Sequence, residues 1–335
     1  MKRITTIIGL LLLGLLILAL GAWGVLAIVF AGDDAGLLRL ALALLFALSS
    51  LIALLGLGMA RWRRRALLAY LLPLAALFSW YQGIEPSNAR HWQADVAVLP
   101  YATIVGNRVT VHNIRNFEYR SETDYTPAYY DREFDLRQLV GVDMVTSYWM
   151  GPAIAHVFLS FAFADGAHLA ISIETRKERH ESYSTLKGFF RQYELYYVVA
   201  DERDVIRLRT NYRRDPPEDV YLYSLRAPIE NGRRLFLEYL HRMNSLRDRP
   251  EFYNTLTTNC TTRIWMSSRV NPQHISFSWK VLASGYVPEY LYENGYLQNA
   301  QRPFSEVQRD ALINTRARQA SDSADFSRLI RTVSP

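Results

Sequence analysis

From Ile7 to Phe30 the chain runs 24 residues without a charged side chain. At about 1.5 Å per residue a helix over this run reaches roughly 36 Å, more than the ~30 Å hydrocarbon core of a bilayer. Such a run restricts the chain to structures that surround it with lipid or with a very large core. A second run, Leu40 to Ala60, adds 21 uncharged residues, which favours lipid. A third, Ala66 to Trp80, has 15 residues and contains Pro73. It spans only if the flanking arginines snorkel and Trp80-Tyr81 sits at the interface. The expectation is three transmembrane helices, at about 7–30, 40–60 and 66–80. Lys2 and Arg3 precede the first run as they do in a secretory signal, but the run is long, a second follows, and no small-x-small cleavage site ends it. An uncleaved anchor is therefore expected.

Charge in the connecting loops sets orientation. Gly32-Asp33-Asp34 separates the first two runs, whereas Arg61-Trp62-Arg63-Arg64-Arg65 separates the second from the third. Positive loops stay in the cytoplasm, so three crossings deliver everything after about residue 81 to the opposite side. The chain accordingly divides into a membrane anchor (1–81), a soluble domain (82–300) and a polar, arginine-rich C-terminal extension (301–335) expected to wrap the surface or fray. Residues 1–80 carry seven basic and two acidic side chains, so of the net charge of +6 only +1 remains for residues 81–335. The basic balance thus reflects topology, and no nucleic-acid partner is expected.

The soluble part reads as α+β. Gly106-Asn107 interrupts β-branched alternation between Asp95 and His112, and Asp165-Gly166 lies between two alternating apolar runs that begin at Ile154 and His168. Both are hairpin signals. Leu195–Ala200 and Asp219–Leu225 read as further strands, and 113–135, rich in tyrosine and charge, as an ordered loop. Leu235, Phe236, Tyr239, Leu240 and Met243 recur at helical spacing within 231–244.

Cys260 is the only cysteine of the 335 residues, so an intramolecular disulfide is impossible. Outside the cytoplasm a lone thiol is inert by burial, paired with another chain, or reactive. Asn259-Cys260-Thr261-Thr262 before Ile264-Trp265-Met266 places the sulfur at a helix N-terminus, where free N–H groups favour the thiolate and can cradle an oxyanion. A buried, inert cysteine is the alternative. Of seven histidines, His156 alone opens a strongly apolar strand, where it is read as the general base. His112, at a strand end, is a weaker candidate. If the hairpin turns at Asp165-Gly166, cross-strand partners have numbers summing to about 330–332, which sets Glu174 beside His156 as the carboxylate that fixes the ring tautomer. His168, near the hairpin tip, is some 23 Å away and a poor partner. Asn259 and Thr261 are candidates for oxyanion or substrate contacts, as are Trp149 and Tyr193. No His-Glu-x-x-His, paired cysteine or acidic calcium loop is present in the sequence, so neither metal nor cofactor is expected.

Ile154-Ala-His-Val-Phe-Leu-Ser-Phe-Ala-Phe, Ala170-Ile-Ser-Ile-Glu-Thr-Arg-Lys-Glu and Tyr253-Asn-Thr-Leu-Thr-Thr-Asn-Cys-Thr-Thr together resemble the Lnb N-terminal periplasmic domain family, over most of residues 90–300. Histidine on a strand followed 104 residues later by Asn-Cys at a helix start also resembles the permuted papain-like (NlpC/P60-like) group that includes lecithin:retinol acyltransferase. The resemblance implies a multi-pass protein of the bacterial inner membrane with its catalytic domain in the periplasm. It further implies that Cys260 attacks an acyl ester of a phospholipid or lipoprotein, with His156 as base, and passes the acyl group from a thioester to an amine or water. The family takes its name from a lipoprotein N-acyltransferase. This chain differs from that enzyme in carrying its own N-terminal membrane leader and in having no long C-terminal membrane region. Two other readings stay open: a cysteine peptidase or amidase acting on cell wall or protein, and a non-enzymatic membrane-anchored binding module.

Overall fold

The computed structural model describes residues 2–32 and 36–332. Asp33 and Asp34, on which part of the orientation argument rests, lie outside the described residues. The chain forms two compact units, one of residues 1–87, 183–194 and 252–255, the other of residues 88–182, 195–251 and 256–335.

The first unit holds helices α1 (Lys2–Phe30), α2 (Leu37–Gly58) and α3 (Arg63–Gln82). Among the described residues, α1 and α2 are the helices whose length and composition suffice to cross a membrane. Three helices form where three spans were expected, but the third falls short because Arg63, Arg64 and Arg65 fill its first turn and Pro73 interrupts it. The helices meet at small residues. A Cβ on Gly24 would lie 2.2 Å from a Phe46 ring carbon, and one on Gly56 would lie 2.3 Å from the Ala66 Cβ, so each glycine permits a close approach that a side chain would block. Residues 183–194 complete the unit: Phe190 packs on Ala27 and Ala31, and Arg191 donates to the carbonyl oxygens of Tyr81 and Ile84 at 2.8 and 3.1 Å.

The second unit is built on strands β1 (Tyr101–Val105), β2 (Arg108–Arg115), β3 (Glu118–Tyr119), β4 (Tyr125–Thr126), β5 (Tyr129–Asp135), β6 (Leu139–Tyr148), β7 (His156–Phe163), β8 (His168–Arg176), β9 (Glu194–Asp201) and β10 (Asp219–Ser224). The main sheet runs β1-β2-β9-β8-β7-β6-β10, with β5 beside β2 and a separate β3-β4 pair. The sheet is mixed, because β2 and β9 pair in parallel while β1-β2, β2-β5, β6-β7, β7-β8 and β6-β10 are antiparallel. Gly166 closes the β7-β8 turn at φ 85°, a conformation that favours glycine, and Leu159 faces Ile171, a pair summing to 330. The register anticipated from the Asp-Gly turn is therefore the one formed. The 113–135 stretch, anticipated as a loop, contains β3, β4 and β5. Of β5 only Phe134 is buried, so this charged strand lacks the apolar alternation that reveals others.

Helices α4 (Glu202–Arg207), α5 (Ile229–Asp248), α6 (Cys260–Ser268), α7 (Trp279–Leu282), α8 (Val287–Glu293), α9 (Phe304–Ala311), α10 (Asn314–Gln319) and α11 (Phe326–Leu329) complete the unit. Phe236 of α5 packs on Phe134, Phe161 and Phe163, with ring centroids 4.8–6.5 Å apart. A second core gathers Phe158, Ala170, Tyr196 and Val220 with Ile313, Ala317, Phe326 and Ile330. The polar extension anticipated from residue 301 is thus part of the fold, since Ile313, Phe326 and Ile330 are at most 1% exposed. Asn314 ties it to β10, accepting from Val220 N at 2.8 Å and donating to the Glu218 carbonyl at 2.7 Å.

Candidate active site

Asn259 places Cys260 at the start of α6. Its side-chain oxygen accepts from Thr262 N at 2.9 Å, and Thr262 Oγ1 accepts from Asn259 N at 3.0 Å. This reciprocal capping box satisfies two backbone donors and fixes where the helix begins. Cys260, its first residue, is buried.

His156 opens β7, opposite Ser147 of β6. Its Nε2 lies 2.7 Å from Ser172 Oγ and 3.4 Å from Glu174 Oε1, and Ser172 Oγ donates to that same carboxylate oxygen at 2.8 Å. With the Ser172 hydroxyl committed to Glu174, its oxygen accepts from His156 Nε2–H, which leaves Nδ1 as the ring nitrogen for the thiol. Glu174 is held in turn by Arg209, whose Nη2 lies 3.2 Å from Oε1 while Nη1 reaches Glu218 at 3.1 Å. Arg213 and Ser147 also donate to Glu218. One buried guanidinium therefore bridges two carboxylates, which keeps all three charges paired.

These contacts set the ionisation of the centre. Burial raises the Cys260 pKa, but the His156 ring, through a hydrogen bond and its charge, together with the N–H groups of Val157 and Thr261, brings it below its ordinary value near 9. Burial and the Arg209 cation oppose charge on His156, yet hydrogen bonds to Cys260 and Glu174 raise it above its ordinary value. Glu174 sits well below the usual carboxylate range despite burial, because His156 and Arg209 stabilise its charge. The paired shifts favour thiolate and imidazolium, the reactive form of a Cys-His couple.

The fold thus brings Cys260, His156 and Glu174 together. Thr261 flanks the sulfur with its N–H, while its hydroxyl donates to the Val281 carbonyl at 2.6 Å. The Asn259 side-chain oxygen is taken up by the cap. Trp149 lines a separate groove with Tyr148, Pro217 and Tyr221. Tyr193 belongs to the first unit, where it is buried and accepts from Ser184 N at 3.0 Å. His112 pairs with Asp131 at 2.6 Å and stacks on Tyr101. Sequence reasoning missed Ser172, although its place two residues before Glu174 puts it on the same strand face. It also missed Arg209, for which no sequence pattern gave a signal. Among the described residues no group of three or more His, Cys, Asp or Glu is placed to hold a metal ion.

An apolar cavity of about 330 Å³ lies against β7 and α6. Its wall includes Val157 and Thr261, the residues directly after base and thiol, with Leu159, Met144, Ile264 and Trp265.

The family model for the Lnb N-terminal periplasmic domain matches residues 125–285, a segment that contains Cys260, His156, Ser172, Glu174 and Arg209. No curated protein and no solved structure matches the chain. Together with α1 and α2, the match describes a membrane-anchored chain with a periplasmic domain.

Proposed function

We propose that this chain, whose residues 125–285 belong to the Lnb N-terminal periplasmic domain family, is a membrane-anchored cysteine acyltransferase acting on the acyl esters of phospholipid or lipoprotein. The observation that carries the reading is the His156 ring set between the Cys260 thiol and the Ser172-Glu174 pair, with both shifts toward thiolate and imidazolium. A permuted papain-like arrangement, with histidine on a strand and cysteine at a helix start, accommodates the same roles.

In this mechanism the Cys260 thiolate attacks the ester carbonyl carbon, forming the S–C bond and moving the carbonyl π pair onto oxygen. Backbone N–H groups in the first turn of α6 receive that oxyanion. As the tetrahedral adduct collapses, the C–O bond to the alcohol breaks and His156 gives its proton to the departing alkoxide. The product is a thioester on Cys260 and a free alcohol. His156, now neutral, takes a proton from the incoming amine as nitrogen attacks the thioester, and the thiolate leaves with the S–C electron pair. Glu174 and Ser172 keep the ring oriented and stabilise its charged form in both halves.

The same reading carries α3 across the membrane. A periplasmic domain behind a cytoplasmic N-terminus needs an odd number of crossings, and two alone would return residues 88–335 to the cytoplasm. Reversing α1 and α2 instead would export Arg61, Arg63, Arg64 and Arg65, against the preference of positive loops.

The test is product analysis. Full-length protein in vesicles of phosphatidylethanolamine is expected to generate lysophospholipid, and Cys260→Ala and His156→Ala to generate none above background. Release of free fatty acid with no acylation of an added lipoprotein amine would move the reading to hydrolysis. Undiminished lysophospholipid from Cys260→Ala would overturn it.

A further inference from the structure

We infer that the 330 Å³ cavity beside Thr261 and Val157 is the site that holds the acyl donor's alkyl chain, an inference that rests on the proposed acyl transfer. Its volume is within the range of ligand pockets, which are mostly apolar with a few placed polar groups. Much of the wall is apolar and buried: Val157 is 1%, Leu159 2%, Met144 2% and Val281 4% exposed. Leu225 and Ile264 line the cavity yet remain only half-buried, so protein atoms leave part of their apolar surface uncovered. That surface is stabilised by any group that displaces water from it. Among the polar lining residues Arg226 and Gln273 are exposed, whereas Thr261 and Asn271 are buried.

Position selects the occupant. Thr261 and Ile264 both lie on α6, so one helix presents the thiol at its first residue and the cavity wall along its following turn. The Val157 N–H reaches the sulfur, while Val157 itself lines the cavity. A chain lying in the cavity with its carbonyl carbon at Cys260 covers these walls and is covalently continuous with the reacting centre. The buried polar side chains of the wall are already engaged within the protein, Thr261 with the Val281 carbonyl and Asn271 with Arg234 and the Asn231 carbonyl, which leaves little for a peptide or glycan to bond. An alkyl chain needs no such partner.

The experiment uses full-length Cys260→Ala protein, which cannot turn over, in vesicles of phosphatidylethanolamine doped with a phospholipid bearing a diazirine at the acyl terminus. Irradiation followed by peptide mapping is expected to place label on Met144, Leu159 and Ile264. Ile264→Trp and Leu225→Trp, each adding bulk from a half-buried wall into open space, are expected to weaken labelling by roughly fourfold for each methylene displaced, from about 0.8 kcal/mol per buried CH₂. In the otherwise native protein the same substitutions shift the mass of the Cys260 adduct toward shorter chains. Parallel labelling with a diazirine fatty acid distinguishes esterified from free chains as the source. A thioester at Cys260 with label absent from the cavity, or label indifferent to both tryptophans, overturns the cavity assignment and leaves the acyl-transfer reading standing. Cavity label without any thioester supports the site and removes the acyl-transfer reading.

Discussion

At the residue scale the proposed chemistry rests on one thiol whose ionisation is shifted by its neighbours. Because Cys260 is the only cysteine, iodoacetamide alkylation followed by intact mass reports it without interference. The alkylation rate of the wild-type protein is expected to rise through a pKa below the ordinary value near 9 and then level off, because His156⁺ and the N–H groups of Val157 and Thr261 stabilise the thiolate. In His156→Ala the midpoint moves upward, since burial is then opposed only by the backbone donors. Coincident profiles would contradict the pairing. This part of the site was legible in advance because it depends on local rules: Asn-Cys-Thr-Thr specifies a capped helix start, and an Asp-Gly turn fixes register to within a residue. Arg209 was not legible. Its role comes from the π-helical turn Leu208–Tyr212 after α4, which brings it beside β8 and next to Glu218, and no apolar periodicity encodes that approach.

Among the elements, the pairing of β7 with β8 positions His156, and the Arg209 bridge ties β8 to the segment before β10. Burial raises the Glu218 pKa, but Arg209, Arg213 and Ser147 bring it down to about 2 from an ordinary 4.5. A carboxylate with a depressed folded pKa contributes stability that is full above its unfolded value and is lost as pH falls through the folded one. The window is therefore pH 4.5 down to about 2, and the contribution is on the order of 3 kcal/mol for a side chain only 5% exposed. Glu218→Gln is expected to lower urea stability at pH 7 by that order and to flatten its decline between pH 4.5 and about 2. An unchanged acid profile in the variant would show that the bridge is not a source of stability. The strands around this network were legible where they alternate apolar and polar residues. β5 was not, because a charged edge strand carries little of that signal.

For the whole molecule, two expectations changed for physical reasons. The C-terminal stretch read as a polar extension because its apolar residues are sparse, yet Ile313, Phe326 and Ile330 are spaced to fill the core behind β7 and β10. Phe326→Ala is expected to cost about 3–5 kcal/mol, read as a lower urea midpoint; a loss below about 1 kcal/mol would return these residues to the surface. The third helix read as a span from its apolar centre, but its arginine-filled first turn and Pro73 leave it short of the two before it. Topology decides its role. In a Cys260→Ala background, a membrane-impermeant maleimide applied to intact spheroplasts is expected to label Lys177→Cys and to spare Arg64→Cys; label at Arg64→Cys would exclude the third crossing. The central claim, that Cys260 carries an acyl group during turnover, is tested most directly by the intact mass of protein purified from membranes, before and after hydroxylamine and beside Cys260→Ser. An acyl-sized increment that disappears with either treatment is the predicted result. A bare mass in the wild-type protein, unchanged after exposure to phospholipid vesicles, would contradict it.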